Sequence, residues 1–354
     1  MITIIAPYPD PNQPKDGFLA RISYIDDIFK DQKKIYIWFD STLKTVKPLG
    51  GQVEKNIQRY YVNHYNPIHI LYILKFVLKA DFCYFHSVYH TFKFFYLLLL
   101  KKCIIDLHGL IVEEGEMMGN YSSIPHYKRL EKFAITHAYK VVSVTETMAD
   151  FIQSKYPKKK IDFIILPIFD NKKRLKSKKK ISQLYNQDKQ PVIYSGTASV
   201  WQAVDKIVNL IKNSYTKYRY TILTPDKDTF EERLRKSKNN IEIRSVKKEE
   251  VYDYYDKSLY GIVIRENNIV NTVSCPTKLI EYMATNVLPI VEYTSIGDFE
   301  KLGYKYILSQ DLEKGKLPSI QDLTQMLDKN IEVVEKLQKQ TELGTIKLQE
   351  ILDK

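Results

Sequence analysis

The stretch GIVIRENNIVNTVSCPTKLIEYMATNVLPIV, residues 261–291, decides how this chain is read. An apolar, β-branched run ending at Arg265 gives way to a polar loop. Pro276 then opens a helical stretch, 276–285, and VLPIVEY (287–293) returns as a strand. Proline suits a helix start, where its missing N–H has no intrahelical partner. Strand, helix and strand at this spacing form the unit of a parallel sheet. The chemistry sits at the turn. The amides of Thr277 and Lys278 begin the helix without intrahelical acceptors, an arrangement that attracts anions. Lys278 adds a full positive charge. Glu281, about one turn further along, offers a carboxylate to two vicinal hydroxyls such as those of a ribose. The same residues also read as an ordinary amphipathic helix.

Working outward, the alternation fills both halves of the chain. Upstream of the quoted stretch lie PVIYSG (191–196), a helix at 201–213, RYTILT (219–224), a helix at 229–237, IEIRSV (241–246) and a helix at 249–258. Residues 318–352 read as helix, with charge pairs four apart. In the first half, ITIIA (2–6), KIYIWF (34–39), DFCYFH (81–86), CIIDL (103–107), YKVVSV (139–144) and DFIILP (162–167) read as strands. Helical stretches separate them at 18–29, 66–79, 125–138 and 145–156, and TFKFFYLLLL (91–100) reads as a buried helix. NKKRLKSKKK (171–180) is too charged for a core element and reads as a linker. The expectation is an α/β protein of two Rossmann-like domains with parallel sheets, 1–168 and 191–317, joined by a basic linker, 169–190, and followed by a helical tail, 318–354. Ligands of such sheets bind beyond the carboxyl ends of the strands, which places the site in the cleft between domains.

Residues 261–291 resemble the donor-binding segment of GT-B glycosyltransferases, particularly family 4. The residues that carry the likeness are Ser274, Pro276, Lys278, Glu281, Tyr282, Ala284 and Pro289. The resemblance implies the GT-B fold, with Glu281 on the donor ribose. It also implies that Lys278, the amides near Thr277 and Arg265 receive the diphosphate. Many members carry a second glutamate seven residues before this one; here that place holds Val273, and Glu266 is a candidate substitute. VIYSGTASVWQAVDKIVNLI (192–211) resembles the first strand, loop and helix of the family's C-terminal domain. Gly196 there permits close approach of a phosphate. Two cations usual in that loop are replaced by Thr197 and Gln202.

The family resemblance extends to the first half. It implies that the loop before Gly17 approaches donor and acceptor, with Asp16 and Arg21 as candidate contacts, though an ordinary capped helix start reads equally from the residues. His108, directly beyond a strand, resembles the residue that touches the transferred sugar. Glu113, Glu114 and Glu116 follow in an expected loop, where Glu114 or a neighbour is a candidate base for an acceptor hydroxyl. Thr145 is read either as bordering the acceptor or as a plain helix cap.

The 354 residues suffice for two cores, and 44% hydrophobic with 27% charged residues is the balance of a folded chain. The formal charge of +12 is uneven: +6 falls in 1–168, +6 in 169–190, and none in 191–354. Such surface reads either as a solvated face with a basic linker or as one that attracts anionic lipid, nucleic acid or a phosphorylated acceptor. A neutral C-terminal half and the lack of an RNP-type motif argue against nucleic acid. Three cysteines outside any metal-type pairing, no signal-like start and no long apolar run point to the cytoplasm, or to the inner face of the plasma membrane. The function expected is transfer of a sugar from a nucleotide sugar, UDP favoured, to a hydroxyl of a lipid-linked glycan. Retention of configuration is implied by the resemblance, and neither cofactor nor metal is expected. An epimerase of the same fold and a non-catalytic binding subunit are the alternatives.

Overall fold

The computed structural model describes residues 1–10, 17–42, 44, 47–48, 56–168, 181–199, 202–235 and 240–352. The chain divides into two compact units. One comprises Met1–Ile168 with Gln340–Lys354, the other Phe169–Lys339.

The first unit is built on β1 (Ile2–Ile5), β2 (Lys34–Phe39), β3 (Lys47–Pro48), β4 (Ile57–Val62), β5 (Phe82–Phe85), β6 (Cys103–Leu107), β7 (Lys140–Ser143) and β8 (Phe163–Ile165), ordered β3-β4-β2-β1-β5-β6-β7-β8. All neighbours pair in parallel except the two-residue β3, which runs antiparallel to β4. β1 sits at the centre, Ile2 opposite both Lys34 and Phe82. β1 and β5 are buried along their whole length, as strands covered by helices on both faces must be. The strand at 57–62 has no counterpart in the sequence reading. IQRYYV interrupts its apolar run with Gln58 and Arg59, and the strand is buried only at its two ends.

The second unit carries β9 (Gln190–Ser195), β10 (Tyr218–Leu223), β11 (Ile241–Arg244), β12 (Tyr260–Ile262), β13 (Leu288–Val291) and β14 (Ile307–Leu308), ordered β11-β10-β9-β12-β13-β14 and parallel throughout. Tyrosine is core material here: Tyr194, Tyr220, Tyr255, Tyr260 and Tyr282 are among the largest fully buried side chains. In both sheets the strand order reverses beside the first strand, β1 or β9. That is where open α/β sheets leave a crevice at the carboxyl ends.

Three expectations change. The stretch 91–100 is not one buried helix but two short ones, Thr91–Phe94 and Leu97–Leu100, with Phe92, Phe95, Leu99 and Leu100 exposed. The expected tail is a single helix, Ile320–Gln349, divided between the units at residue 340. Its end belongs to the first core: Leu348 is fully buried in the cluster containing Ile2, Phe82 and Leu166, and Gly344 lies so close to the Ile165 carbonyl that a Cβ would stand 2.4 Å away. Of the basic linker, 169–180 lies outside the described residues. Ile181–Tyr185 is helical and packs against the second core.

Candidate functional site

The second unit gathers its polar residues at the carboxyl ends of β9 and β12. The helix Thr277–Ala284 starts there, capped by Pro276 in extended conformation, with Thr277 exposed at its first position. Tyr282 fastens this helix to the sheet. Its hydroxyl accepts a hydrogen bond from the Ser195 amide at 3.1 Å, and its ring fills the space that a Cβ on Gly261 would occupy, 2.5 Å away. The far end closes with two bonds, the Val287 amide to the Tyr282 carbonyl and the Asn286 amide to that of Met283. Asn286 has φ 55°, the left-handed residue this closure requires.

Lys278 therefore has a fixed base. Its Nζ stands 3.2 Å from Gln202 Oε1 and 4.2 Å from the centre of the Tyr194 ring. A Cβ on Gly196 would lie 2.5 Å from that Nζ, so glycine is what lets the ammonium reach the backbone of the β9 turn. Burial and then the neighbouring Arg265 pull the Lys278 ammonium down to about 7, against the pull of Glu281. Arg265 donates to Asn271 Oδ1 at 3.0 Å, and burial draws it down to about 10. Two repelling cations thus share a partly desolvated place, held by neutral amides and a ring. Among the described residues neither has a carboxylate in ion-pair contact. Desolvated charge of this kind is costly unless a counter-charge arrives. Glu281 accepts a bond from the Tyr255 hydroxyl at 3.1 Å. The Thr197 carbonyl accepts one from Tyr194 at 2.8 Å, which shapes the turn around Gly196. Tyr194, Asn271 and Tyr255 had no signal in the sequence beyond an abundance of tyrosine, and Gln202 was marked only as standing where a cation is usual; Gln202 and Tyr255 reach their partners across 76 and 26 positions.

Glu266 is not a free acid. It is exposed and ion-paired with Lys206 at 3.0 Å, which also meets Glu292 at 3.2 Å. Val273 is wholly buried, so its position faces the protein interior. Arg265, Glu266, Asn271, Thr272, Tyr293 and Ser295 line a small pocket beside these groups.

In the first unit the expected contacts rearrange more. Arg21 is fully buried. It grips both oxygens of Asp106 at 3.0 and 3.1 Å and donates to the Leu166 carbonyl at 2.9 Å. It is therefore a correction: the guanidinium is spent inside the fold and cannot meet an acceptor. Asp106, which the sequence reading missed, also accepts from the Tyr84 hydroxyl at 2.9 Å. Burial would raise its carboxyl, but Arg21 and then His108 overcome this and hold it well below the usual carboxylate range. His108 lies beyond β6, only 16% exposed, its Nε2 3.3 Å from Asp106 and its ring 5.0 Å from Phe18. Behind it His86 is fully buried and kept neutral, chiefly by burial and then by His108. His86, Asp106 and His108 each bring an atom within 4.8 Å of the others, a spacing a metal accepts. The set does not fit one, because Arg21 already neutralises Asp106 and occupies both its oxygens.

The acidic trio is a second correction. It sits on the helix Ile111–Met117, not in a loop. Glu113 pairs with Lys155 at 2.9 Å, and Glu116 with Lys128 at 3.4 Å. Glu114 folds back under Gly109, and burial raises its carboxyl. Thr145 caps the helix Glu146–Lys155, accepting from the Met148 amide at 3.0 Å. Gly17 opens its helix with open space where a Cβ would stand. Asp16 lies outside the described residues.

No family model matches the sequence, and no curated protein matches it. Solved structures do. Sucrose-phosphate synthase from Thermosynechococcus elongatus matches with a TM-score of 0.68 at 12% identity, over 99% of this chain and 98% of that one. The Anabaena protein HepE, in complex with UDP and glucose, matches with 0.65 at 12% identity over 99% of each chain. Trehalose-6-phosphate synthase from Burkholderia multivorans matches with 0.63 at 10% identity, over 100% of this chain and 98% of that one. At such identities the likeness speaks for architecture, and it agrees with the two parallel sheets and the long C-terminal helix: the chain has the GT-B fold.

Proposed function

We propose that the protein is a glycosyltransferase that moves a sugar from a nucleoside-diphosphate sugar to an acceptor hydroxyl. The observation that carries this reading is the pair of desolvated cations, Arg265 and Lys278, held by neutral groups at the start of the helix Thr277–Ala284. A diphosphate supplies the counter-charge they lack. Glu281, on the same helix, takes the ribose hydroxyls, and Gly196 leaves room for the Lys278 ammonium beside the β9 turn, where it meets the phosphates. UDP is the favoured nucleotide; HepE, of the same fold, was solved with UDP and glucose.

As the glycosidic bond breaks, negative charge grows on the leaving diphosphate. Arg265, Lys278 and the amides of the helix start stabilise it where it forms. The sugar passes through an oxocarbenium-like state. His108, its Nε2 3.3 Å from Asp106, is the residue assigned to the transferred sugar. The acceptor attacks from the face the diphosphate leaves, giving retention, and the leaving phosphate takes the acceptor proton. Because the protein supplies two cations of its own, no metal is required. The acceptor proposed is a lipid-linked glycan of surface-polysaccharide assembly, processed at the inner face of the membrane; the basic first half supports this choice.

The test is to incubate the protein with UDP-α-glucose and a panel of other nucleotide sugars, following the donor by NMR. The reading expects slow release of UDP with an α-configured product, at a rate cut about a hundredfold in His108→Ala. Conversion of the donor sugar without release of nucleotide would instead mark an epimerase.

A further inference from the structure

Two helical segments of the first unit present an unusual face. The helix Pro67–Lys79 is well begun: Asn66 Oδ1 accepts from the Ile68 amide, and Pro67 takes the first position. Yet it buries only His69, Ile73 and Val77. Ile68, Leu71 and Leu78 are left 72%, 68% and 61% exposed, while a histidine occupies the inner stripe. Ile73 and Val77 keep the inner stripe apolar, but the outer face is apolar too, where a surface helix ordinarily turns polar residues to solvent. Both this helix, linking β4 to β5, and the segment 91–100, linking β5 to β6, cross in the same direction along the sheet. Right-handed crossovers then place them on one face. They are side by side: Lys93 Nζ donates to the Tyr65 hydroxyl at 3.3 Å, and Lys101 Nζ to the Leu78 carbonyl at 3.4 Å. The second segment adds exposed Phe95, Leu99 and Leu100.

Scattered exposed leucines need no explanation, but a contiguous apolar patch on one face marks a binding surface. Its charge names the partner. Between residues 63 and 102 the chain has Lys75, Lys79, Lys93, Lys101 and Lys102, and Asp81 is the sole acid. Apolar tips ringed by lysines and tyrosines suit the boundary of an anionic bilayer, where acyl chains receive the former and headgroups the latter. No helix among the described residues is long and apolar enough to cross a membrane.

We propose that the helix Pro67–Lys79 and the segment 91–100 form a docking face for anionic membrane, with Ile68, Leu71, Leu78, Leu99 and Leu100 inserting and the lysines meeting lipid phosphates. The inference rests on this face and not on the transferase reading. It is tested by flotation of the full chain with vesicles of phosphatidylglycerol and phosphatidylcholine. The protein floats, and its partition falls about tenfold or more in Ile68→Ser/Leu71→Ser/Leu78→Ser, and by a similar amount in Lys75→Gln/Lys79→Gln/Lys93→Gln. Circular dichroism of both variants matches the wild type, since the substituted side chains lie outside the core. Three results would overturn it: wild-type protein that stays at the bottom of the gradient, serine and glutamine variants that float as the wild type does, or sedimentation showing a dimer that the serine variant dissolves while vesicles bind neither form.

Discussion

Lys278 concentrates the chemistry of the second unit. Burial beside Arg265 brings its ammonium down to about 7. A diphosphate against it favours the charged form, so binding takes up a proton wherever the free protein has lost one. Above about pH 7 nucleotide affinity should therefore fall, approaching tenfold per unit as pH rises. Calorimetric titration across that range checks it, and Lys278→Arg, which stays charged, should flatten the profile. The sequence exposed Lys278, Glu281 and Arg265 because they fall within one short motif whose spacing places them at a strand end and a helix start. It did not expose the pairing of Gln202 with Lys278 or of Tyr255 with Glu281, which span 76 and 26 positions. Arg21 was misplaced for a different reason. Arginine is ordinarily a surface residue, and nothing local announces that Asp106, 85 positions away, draws it inside.

At the scale of elements, the helix Thr277–Ala284 is positioned by one ring. Tyr282 enters the gap left by Gly261 and accepts from the Ser195 amide at the end of β9. Tyr282→Phe keeps the ring and leaves that amide without its partner, which should cost about 1–3 kcal/mol in chemical unfolding. Gly261→Ala drives a methyl into the ring and should cost a similar amount through overpacking, about 1–3 kcal/mol. Tyr282 and Ala284 were visible in the motif as a pattern; the pairing with Gly261 was not, because a glycine inside a strand does not say which side chain needs its space. The segment 91–100 shows the reverse limit. Ten residues with one lysine read as a core helix, and composition alone could not reveal that Phe95, Leu99 and Leu100 point outward.

At the scale of the molecule, the long helix Ile320–Gln349 begins in one unit and ends in the core of the other. Its last turns contribute to the first unit a fully buried Leu348, a close approach at Gly344 and a contact between Tyr24 and Thr345. Leu348→Ala should destabilise the first unit by about 2–5 kcal/mol. Calorimetry should show a transition moving down while the nucleotide response of the second unit persists. The alternation of strands and helices made both units legible. The sharing of the C-terminal helix was not, since its amphipathic pattern states that it packs, not against which core.

The nucleoside-diphosphate site proposed at Arg265, Lys278 and Glu281 is open to a direct test. The direct measurement is thermal unfolding of the purified protein with UDP, GDP, ADP, TDP and CMP, because a ligand of the native state must raise its stability. A rise is expected with one diphosphate, UDP first among them, and it should be absent in Lys278→Ala and Glu281→Ala. No rise with any nucleotide at millimolar concentration, or an equal rise in both variants, would contradict it.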